Sequence, residues 1–521
     1  MIRNWVVSGV QEVLTKRDLS EGALQVSVPP DTTFGDLAIP LGFALAKSMR
    51  MSPPQALAAL LPELQSFFGD ALVLSIHGGF LNIRFSDAFL WQEGMAFSGK
   101  NNPTQRPSVL LEYVSANPTG PLHIGHGRWA VMGSIIAQLL RESGHSVHTE
   151  FYINDAGKQI DKLYRSVAAL KAGQSVPDDG YHGAYVQALA DVDQDPVLAN
   201  LESQQRDLSA IGVVFDTWYS EKKLHLSGTI DAAIACLTEK NVTYEAEGAL
   251  WFRSTDFGDD KDRVLRKADG DLTYFAVDVA YHFEKVSRGF DQLVNLWGAD
   301  HHGYISRIRA SLHAVFGETR ASEPAFRVLL GQLVSLFRDG EPVRMSKRTG
   351  DMVTLAEVID EVGSDAVRYY LASKGFDSHI DFDLAKAKEK SAENPVYYVQ
   401  YAHARLFGIL RKAEGLGHVL DRLMMSESSL PADVSLHPKE RLLILHMAQY
   451  GDTLTEAALL FSPHKFVQYT FDLARASHHM YESCPILGHP MEAQRLVLVI
   501  KTRDVLAQCL RLLGISAPSA M

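Results

Sequence analysis

Residues 108–155 read SVLLEYVSANPTGPLHIGHGRWAVMGSIIAQLLRESGHSVHTEFYIND, and their patterns run strand, loop, helix, strand. Val109, Leu110, Leu111, Tyr113 and Val114 make a short apolar run, the composition of a strand covered on both faces. Asn117, Pro118, Thr119, Gly120 and Pro121 then stop any regular element. After Gly127 the apolar residues take helical spacing, with Val131, Ile135 and Leu139 in one row and Met132, Ile136 and Leu140 beside it. Gly144 stands where a glycine ends a helix, and residues 145–153 read as a second strand. This is a βαβ unit. Its first loop falls at the carboxyl end of a strand, where open α/β sheets bind ligands.

That loop carries His123, Ile124, Gly125 and His126. A helix start offers free amide N–H groups and partial positive charge, and two imidazoles add donors for an anion. Gly125 leaves room for a flat ring against the backbone. Alone, the same four residues also describe two surface histidines on a turn, or a metal pair.

The 521 residues favour about three or four domains. Hydrophobic residues make up 46% and charged residues 21%, ordinary for a globular chain. No apolar run reaches the length of a membrane span and the start has no signal-peptide layout, so no membrane association is expected. Cys236, Cys484 and Cys509 are far apart and lack metal-ligand spacing. This argues against a disulfide framework or structural zinc and points to a reducing, cytoplasmic setting. The net charge of −12 weighs only weakly against a nucleic-acid partner, because basic residues can gather on one face.

Outward from the βαβ unit, residues 1–88 read as a small α+β module, with 37–50 helical and 89–105 a polar link. Residues 158–172 read as a helix, and the acidic, glycine-rich stretch after 173 as an insertion reaching about 265. Within it, 211–220 reads as a strand, 228–240 as a helix, and 249–252 with 264–266 as a hairpin-like segment. A second α/β half follows: 272–278 as strand into helix, 291–297 as a buried strand, 304–315 as a helix, 328–337 as a strand. Beyond about 355 nearly everything reads as a helix bundle, with rows such as Leu442, Leu443, Leu445, Met447 and Leu454, Leu459, Leu460.

The last strand of that half, 328–337, feeds Arg344, Met345, Ser346, Lys347, Arg348, Thr349 and Gly350. A lysine on such a loop can bring a point charge onto a triphosphate as its leaving group gains charge, although a basic run is also the composition of a solvated turn. Together the two loops suit adenylate transfer, in which a carboxylate attacks the α-phosphate of ATP and the protein positions groups and stabilises charge. A cationic substrate would call for carboxylates nearby. Glu112, inside an apolar strand, and Asp278 are candidates; an internal salt bridge and a helix N-cap are their structural alternatives. Asp300 is placed either to accept ribose hydroxyls or to cap the 304–315 helix.

At these residues the chain resembles the class I aminoacyl-tRNA synthetases, and among them the arginyl enzymes. The resemblance rests on SANPTGPLHIGHGR, EFYINDAGKQ, TYFAVDVAYH, WGADHHGYISR, RMSKRTG, DFDLAKAKEKSAENPVYYVQYAHAR and RLLGISAP, spread along essentially the whole chain. It implies a Rossmann-like α/β catalytic domain over 106–380 with its insertion around 173–265, a small α+β tRNA-binding domain over 1–105, and an all-α anticodon-binding bundle over 381–521. It implies ATP with Mg²⁺, L-arginine and tRNA(Arg) as substrates, a monomer, and arginine activation only with tRNA bound. Carried over by position, His123, His126 and Lys347 would act on the ATP phosphates, with Gly125, Asp300, Met345 and Ser346 also around ATP. Glu112 and Asn117 would hold the ammonium and carboxylate end of arginine, and Tyr274 and Asp278 its guanidinium; no protein metal site is implied. Arg344 stands where the second signature usually has lysine, Trp129 replaces a small residue and Ser134 a common aspartate; the last two are expected to face away from the loop chemistry. The contact made by His301 and His302 stays open. The rival readings are another class I synthetase and a non-catalytic tRNA-binding paralogue.

Overall fold

The computed structural model describes residues 2–19, 24–29, 31–96, 106–343, 353–426, 430–431 and 434–521. The expected second-signature residues Arg344, Met345, Ser346 and Lys347 lie outside the described residues.

At the centre is a five-stranded, all-parallel sheet. In space its strands run Phe326–Gly331, Gln292–Gly298, Arg106–Glu112, His145–Ile153, Thr217–Ser220. Chain order therefore reverses at Arg106–Glu112, whose neighbours are the next strand on one side and Gln292–Gly298 on the other. That reversal opens a crevice at the carboxyl ends of the two strands. The apolar run divides its side chains as a parallel strand must: Val109 and Leu111 join one core, Leu110 the other. The first core includes the helix Ile124–Glu142, whose two predicted apolar rows are buried throughout. The second includes the helices Tyr274–Ser287 and Ile305–Phe316. Helix Ile124–Glu142 ends through Ser143, and Gly144 follows with φ 102°, the left-handed region glycine tolerates best.

The N-terminal part holds a three-stranded antiparallel sheet, Leu37–Ile39, Phe80–Phe85 and Leu72–His77, against the helices Ile2–Lys16 and Pro53–Phe68. Beyond residue 394 the described residues are mainly helical, and the helices Pro395–Gly415, Pro463–Ser483 and Glu492–Leu513 carry the core there. Leu443, Leu445, Met447 and Leu454 are buried there, whereas Leu459 and Leu460 are exposed.

Several local expectations change. Residues 37–50 are not one helix: Leu37–Ile39 pairs as a strand, and Pro40, which lacks an N–H, precedes the helix Leu41–Met49. The link 89–105 begins as the helix Asp87–Met95, capped by Ser86 Oγ, which accepts from Phe89 N. The strand 328–337 is two strands in two sheets, Phe326–Gly331 and Val334–Arg338. Val334–Arg338 pairs in parallel with Ile380–Asp383, a strand in a region read as helical. Of 211–220 only Thr217–Ser220 is a strand, and it joins the main sheet, so the stretch 173–265 leaves that sheet and returns to it. Residues 272–278 form no strand: Thr273 Oγ1 accepts from Ala276 N and starts a helix at Tyr274, with Asp278 one turn in.

Candidate active site

A cavity of about 340 Å³ fills the crevice at the strand-order reversal. Glu112, Val114 and Ser115 line it from the end of the first strand, and Leu296, Trp297 and Gly298 from the end of the neighbouring one. Tyr274, Asp278, Tyr281 and His282 come from one face of a single helix, and Trp129, Tyr152, His301 and Tyr304 complete the wall. Val114 and Ser115 have φ 72° and 46°, both left-handed, and a β-branched residue rarely accepts that conformation. The turn they make brings Ser115 Oγ back to donate to Glu112 Oε1 at 2.8 Å.

Two expected arginine-site residues, Glu112 and Asp278, therefore meet in one cavity. Burial pushes the Asp278 carboxyl up to about 7; a hydrogen bond from Tyr304 opposes this, and the charges of Glu221 and Glu112 add to it. Glu221 was not singled out in the sequence. It is buried, accepts from Tyr152 Oη at 3.1 Å, and is also pushed up to about 7, by burial with Asp155 nearby, against the pull of the Tyr152 bond. Tyr274 lies at the rim, 68% exposed. Asn117 stands apart from the cavity wall, its Nδ2 donating to Gln159 Oε1 at 3.0 Å.

Glu112 also carries the salt bridge that was its structural alternative, to Lys285 Nζ. Lys285 is fully buried and donates to Asn295 Oδ1 at 2.8 Å. Asn295 Nδ2 meets His282 Nε2 at 3.0 Å, and His282 Nδ1 lies 2.8 Å from the Asp278 carbonyl oxygen. Burial, with Lys285 nearby, pushes His282 down to about 3, so it is neutral, protonated on Nδ1 and accepting at Nε2.

The histidines of the loop open the helix Ile124–Glu142. His123 is its N-cap, its Nδ1 accepting from Gly125 N and His126 N at 3.1 and 3.4 Å. His126 Nδ1 accepts from His123 N, and the two rings stack with centroids 3.8 Å apart. A Cβ on Gly125 would lie 2.9 Å from the His123 ring, so any larger residue there would push the capping ring aside. His123 bridges to Thr354, and Leu355 N donates to Leu122 O at 2.8 Å; the chain leaving the second-signature region is thus docked on the first signature. Asp300 lies on the turn Ala299–Tyr304, which follows the strand Gln292–Gly298. It is largely exposed, with His301 Nε2 3.7 Å from its carboxylate.

The expectation that Trp129 and Ser134 face away from the loop chemistry holds for Ser134 and fails for Trp129. Trp129 lines the cavity, and Ser134 Oγ accepts from the buried Arg368. Arg128, also unpredicted, is fully buried and donates to four carbonyls: Gln332 and Leu333 beyond one strand end, Gly375 and Ser378 before another. It fixes the start of the signature helix to the chain segments that flank the second signature.

Comparison with known proteins agrees with this layout. Residues 5–85 match the arginyl tRNA synthetase N terminal domain, 90–205 and 203–405 the catalytic domain of tRNA synthetases class I (R), and 399–521 the DALR anticodon binding domain. The chain is 40% identical to an arginine–tRNA ligase of Frankia alni, over 97% of each chain. It is 41% identical to one of Moorella thermoacetica, over 95% of this chain and 93% of that one. Its fold matches the arginyl-tRNA synthetase of Thermus thermophilus with TM-score 0.81 over the full length of both, at 23% identity.

Proposed function

The chain belongs to the class I arginyl-tRNA synthetases, and on that premise we propose that the cavity between Glu112 and Asp278 is the arginine site of an arginine–tRNA ligase. The observation that carries this reading is two carboxylates on one 340 Å³ cavity at the strand-order reversal. The activity is arginine tRNA charging, with ATP as energy source. Arginine attacks the α-phosphate and pyrophosphate leaves; a hydroxyl of the tRNA 3′-terminal ribose then attacks the arginyl carbonyl and AMP leaves. Positioning and charge stabilisation supply the rate, with no covalent enzyme intermediate.

In our reading Asp278, with Glu221 behind it and Tyr274 at the rim, takes the guanidinium, whose planar fork a carboxylate binds through two hydrogen bonds. Glu112 takes the ammonium, and Asn117 the carboxylate end. His123 and His126 at the helix N-terminus, with Gly125, meet the ATP phosphates and adenine. Asp300 meets the ribose. Lys347, with Met345 and Ser346, stabilises the leaving pyrophosphate. Mg²⁺ enters with ATP as part of that substrate. Residues 1–105 contact the tRNA elbow, 106–380 form the catalytic unit and 381–521 read the anticodon. Arginine activation awaits bound tRNA. We place the protein in the cytoplasm as a monomer; its three cysteines are free, and no helix among the described residues is long and apolar enough to cross a membrane.

Citrulline tests the site, because it keeps the shape of arginine and lacks the guanidinium charge. The cavity should charge tRNA(Arg) with arginine and reject citrulline by about 10³-fold or more, since a neutral head leaves Asp278 without its cation. Comparable use of both amino acids would remove the role given to Asp278.

A further inference from the structure

In the parallel register Asn295 pairs with Glu112, and Glu112 with Glu150, so one polar row crosses three strands at the base of the cavity. Parity along the strands points this row toward the helix Tyr274–Ser287: Leu110 and Leu293, two residues before Glu112 and Asn295, belong to the core on that side. Two like charges directly opposite one another are unfavourable. Each carboxylate has its own cation from the end of the same helix. Arg288 binds Glu150 through both nitrogens, at 2.6 and 2.9 Å, and Lys285 binds Glu112.

The two cations differ in setting. Arg288 is partly open to solvent, and Glu150 also accepts from Tyr281 Oη at 2.6 Å. Lys285 is sealed, and its ammonium is saturated by Glu112, Asn295 Oδ1 and the Tyr281 ring, whose centroid is 4.3 Å away. Tyr274, Asp278, Tyr281, His282 and Lys285 fall at i, i+4, i+7, i+8 and i+11, one stripe of the helix. Lys285 is thus the deep end of the face that lines the cavity. A carboxylate buried without a counter-ion takes a proton instead of keeping its charge.

We propose that Lys285 is a positioning residue for arginine recognition: it holds the Glu112 carboxylate in place, with Ser115 on its other oxygen, ready for the substrate ammonium. This rests on the ammonium role given above to Glu112. Lys285 is not part of the cavity wall and acts chiefly through Glu112, its ion-pair partner. The Asn295–His282–Asp278 chain of hydrogen bonds ties the same ammonium to the backbone of the helix that carries Asp278.

The test is aminoacylation kinetics of the full chain with tRNA(Arg), for wild type, Lys285→Met, Glu112→Gln and the double variant. Lys285→Met should raise the KM for arginine about tenfold or more and leave the KM for ATP within about twofold. The double variant should match Glu112→Gln, because a residue acting through Glu112 has nothing left to act on. An unchanged arginine KM in Lys285→Met beside a raised one in Glu112→Gln would overturn the proposal. So would additive effects in the double variant, or equal rises for arginine and ATP. If Lys285→Met alone does not fold, the double variant decides, since replacing both members of a buried pair leaves no unpaired charge. An arginine KM above that of Glu112→Gln would then overturn it, and an equal one supports it. An unchanged KM in Glu112→Gln itself would instead reject the ammonium role of Glu112.

Discussion

Trp129 occupies the space that a side chain at Gly331 would need: a Cβ built on Gly331 would lie 1.7 Å from the indole ring. Trp129 lies in the first turns of the helix Ile124–Glu142, and Gly331 ends the strand Phe326–Gly331. The ring that lines the cavity thus locks the signature helix to the strand that leads toward the second signature. Gly331→Ala should cost about 1–3 kcal/mol through overpacking and depress aminoacylation. Shrinking the ring with Trp129→Leu in the same chain should recover stability. Thermal unfolding of the two variants checks this, and a Gly331→Ala melt equal to wild type would sink the interlock.

Arginine binding should be linked to proton release. Asp278 and Glu221 are both held up to about 7, chiefly by burial, with Glu112, Asp155, Tyr152, Tyr304 and Lys285 as their charged or polar neighbours. A guanidinium requires the ionised form, so below about pH 7 its binding must expel a proton. The arginine KM should fall as pH rises between about 6 and 8, by up to tenfold per unit for each proton released. The sign for folding is opposite. The empty folded site binds protons that the unfolded chain has lost, so this pair's contribution to stability declines as pH rises from about 4 to about 7. An arginine KM independent of pH over this range, in wild type, would contradict the linkage.

Arg441 joins the N-terminal part to the bundle. It is buried, pairs with Asp36 and Asp87, and donates to Phe85 O. The helices it links, Asp87–Met95 and Pro438–Ala448, pack so closely that a Cβ on Gly94 would meet Ile444 at 2.4 Å. Arg441→Met leaves two carboxylates without their cation, at a cost of about 3–5 kcal/mol. Since this contact orients a part proposed to touch tRNA, the KM for tRNA should rise while that for arginine stays put. A rise in both would place the effect in the catalytic unit.

Ser134 offers a stabilising change. Arg368 donates to Leu513 O, Ile211 O and Ser134 Oγ, three neutral acceptors from three parts of the chain, and burial lowers its guanidinium to about 10. An aspartate at 134 would give it a counter-ion and a charge-assisted bond. Ser134→Asp should gain about 1 kcal/mol at neutral pH. The new carboxylate would have a depressed pKa, so the gain is present above the usual aspartate value and disappears as pH falls through the depressed one. Denaturant melts at neutral and acidic pH measure it; a loss at neutral pH would show that desolvation outweighs the pairing.

The βαβ unit was legible because its signals are local: an apolar run, turn residues and a 3.6-residue period. The meeting of Glu112 with Asp278 was legible only as a chemical demand, since their distance depends on sheet order. The strand expected at Asp278 rests on Tyr274, Phe275 and Val277, which favour strands; the hydroxyl of Thr273 capping Ala276 N overrides that preference. Lys285 and His282 carry no signal of their own in the sequence, because polar residues in phase with Tyr274 and Asp278 look like a solvated face until the sheet covers them. The position of Trp129 on the cavity wall is not legible in sequence, because nothing near it signals Gly331, which comes into contact only through the fold. The reading 211–220 contains the strand Thr217–Ser220 but begins it too early, because the apolar Ile211, Val213, Val214 and Phe215 look like the same run; of these, Ile211, Val213 and Phe215 are buried outside any strand.

The central claim is that one acidic cavity selects arginine and that tRNA licenses its activation. Arginine-dependent ATP–pyrophosphate exchange tests it most directly, with and without tRNA(Arg), in wild type and Asp278→Asn. Exchange should require both arginine and tRNA in wild type and fall by about 10³-fold or more in the variant, the loss expected when the guanidinium has no carboxylate partner. Wild-type rates in Asp278→Asn would contradict the site, and full exchange without tRNA would contradict the licensing step.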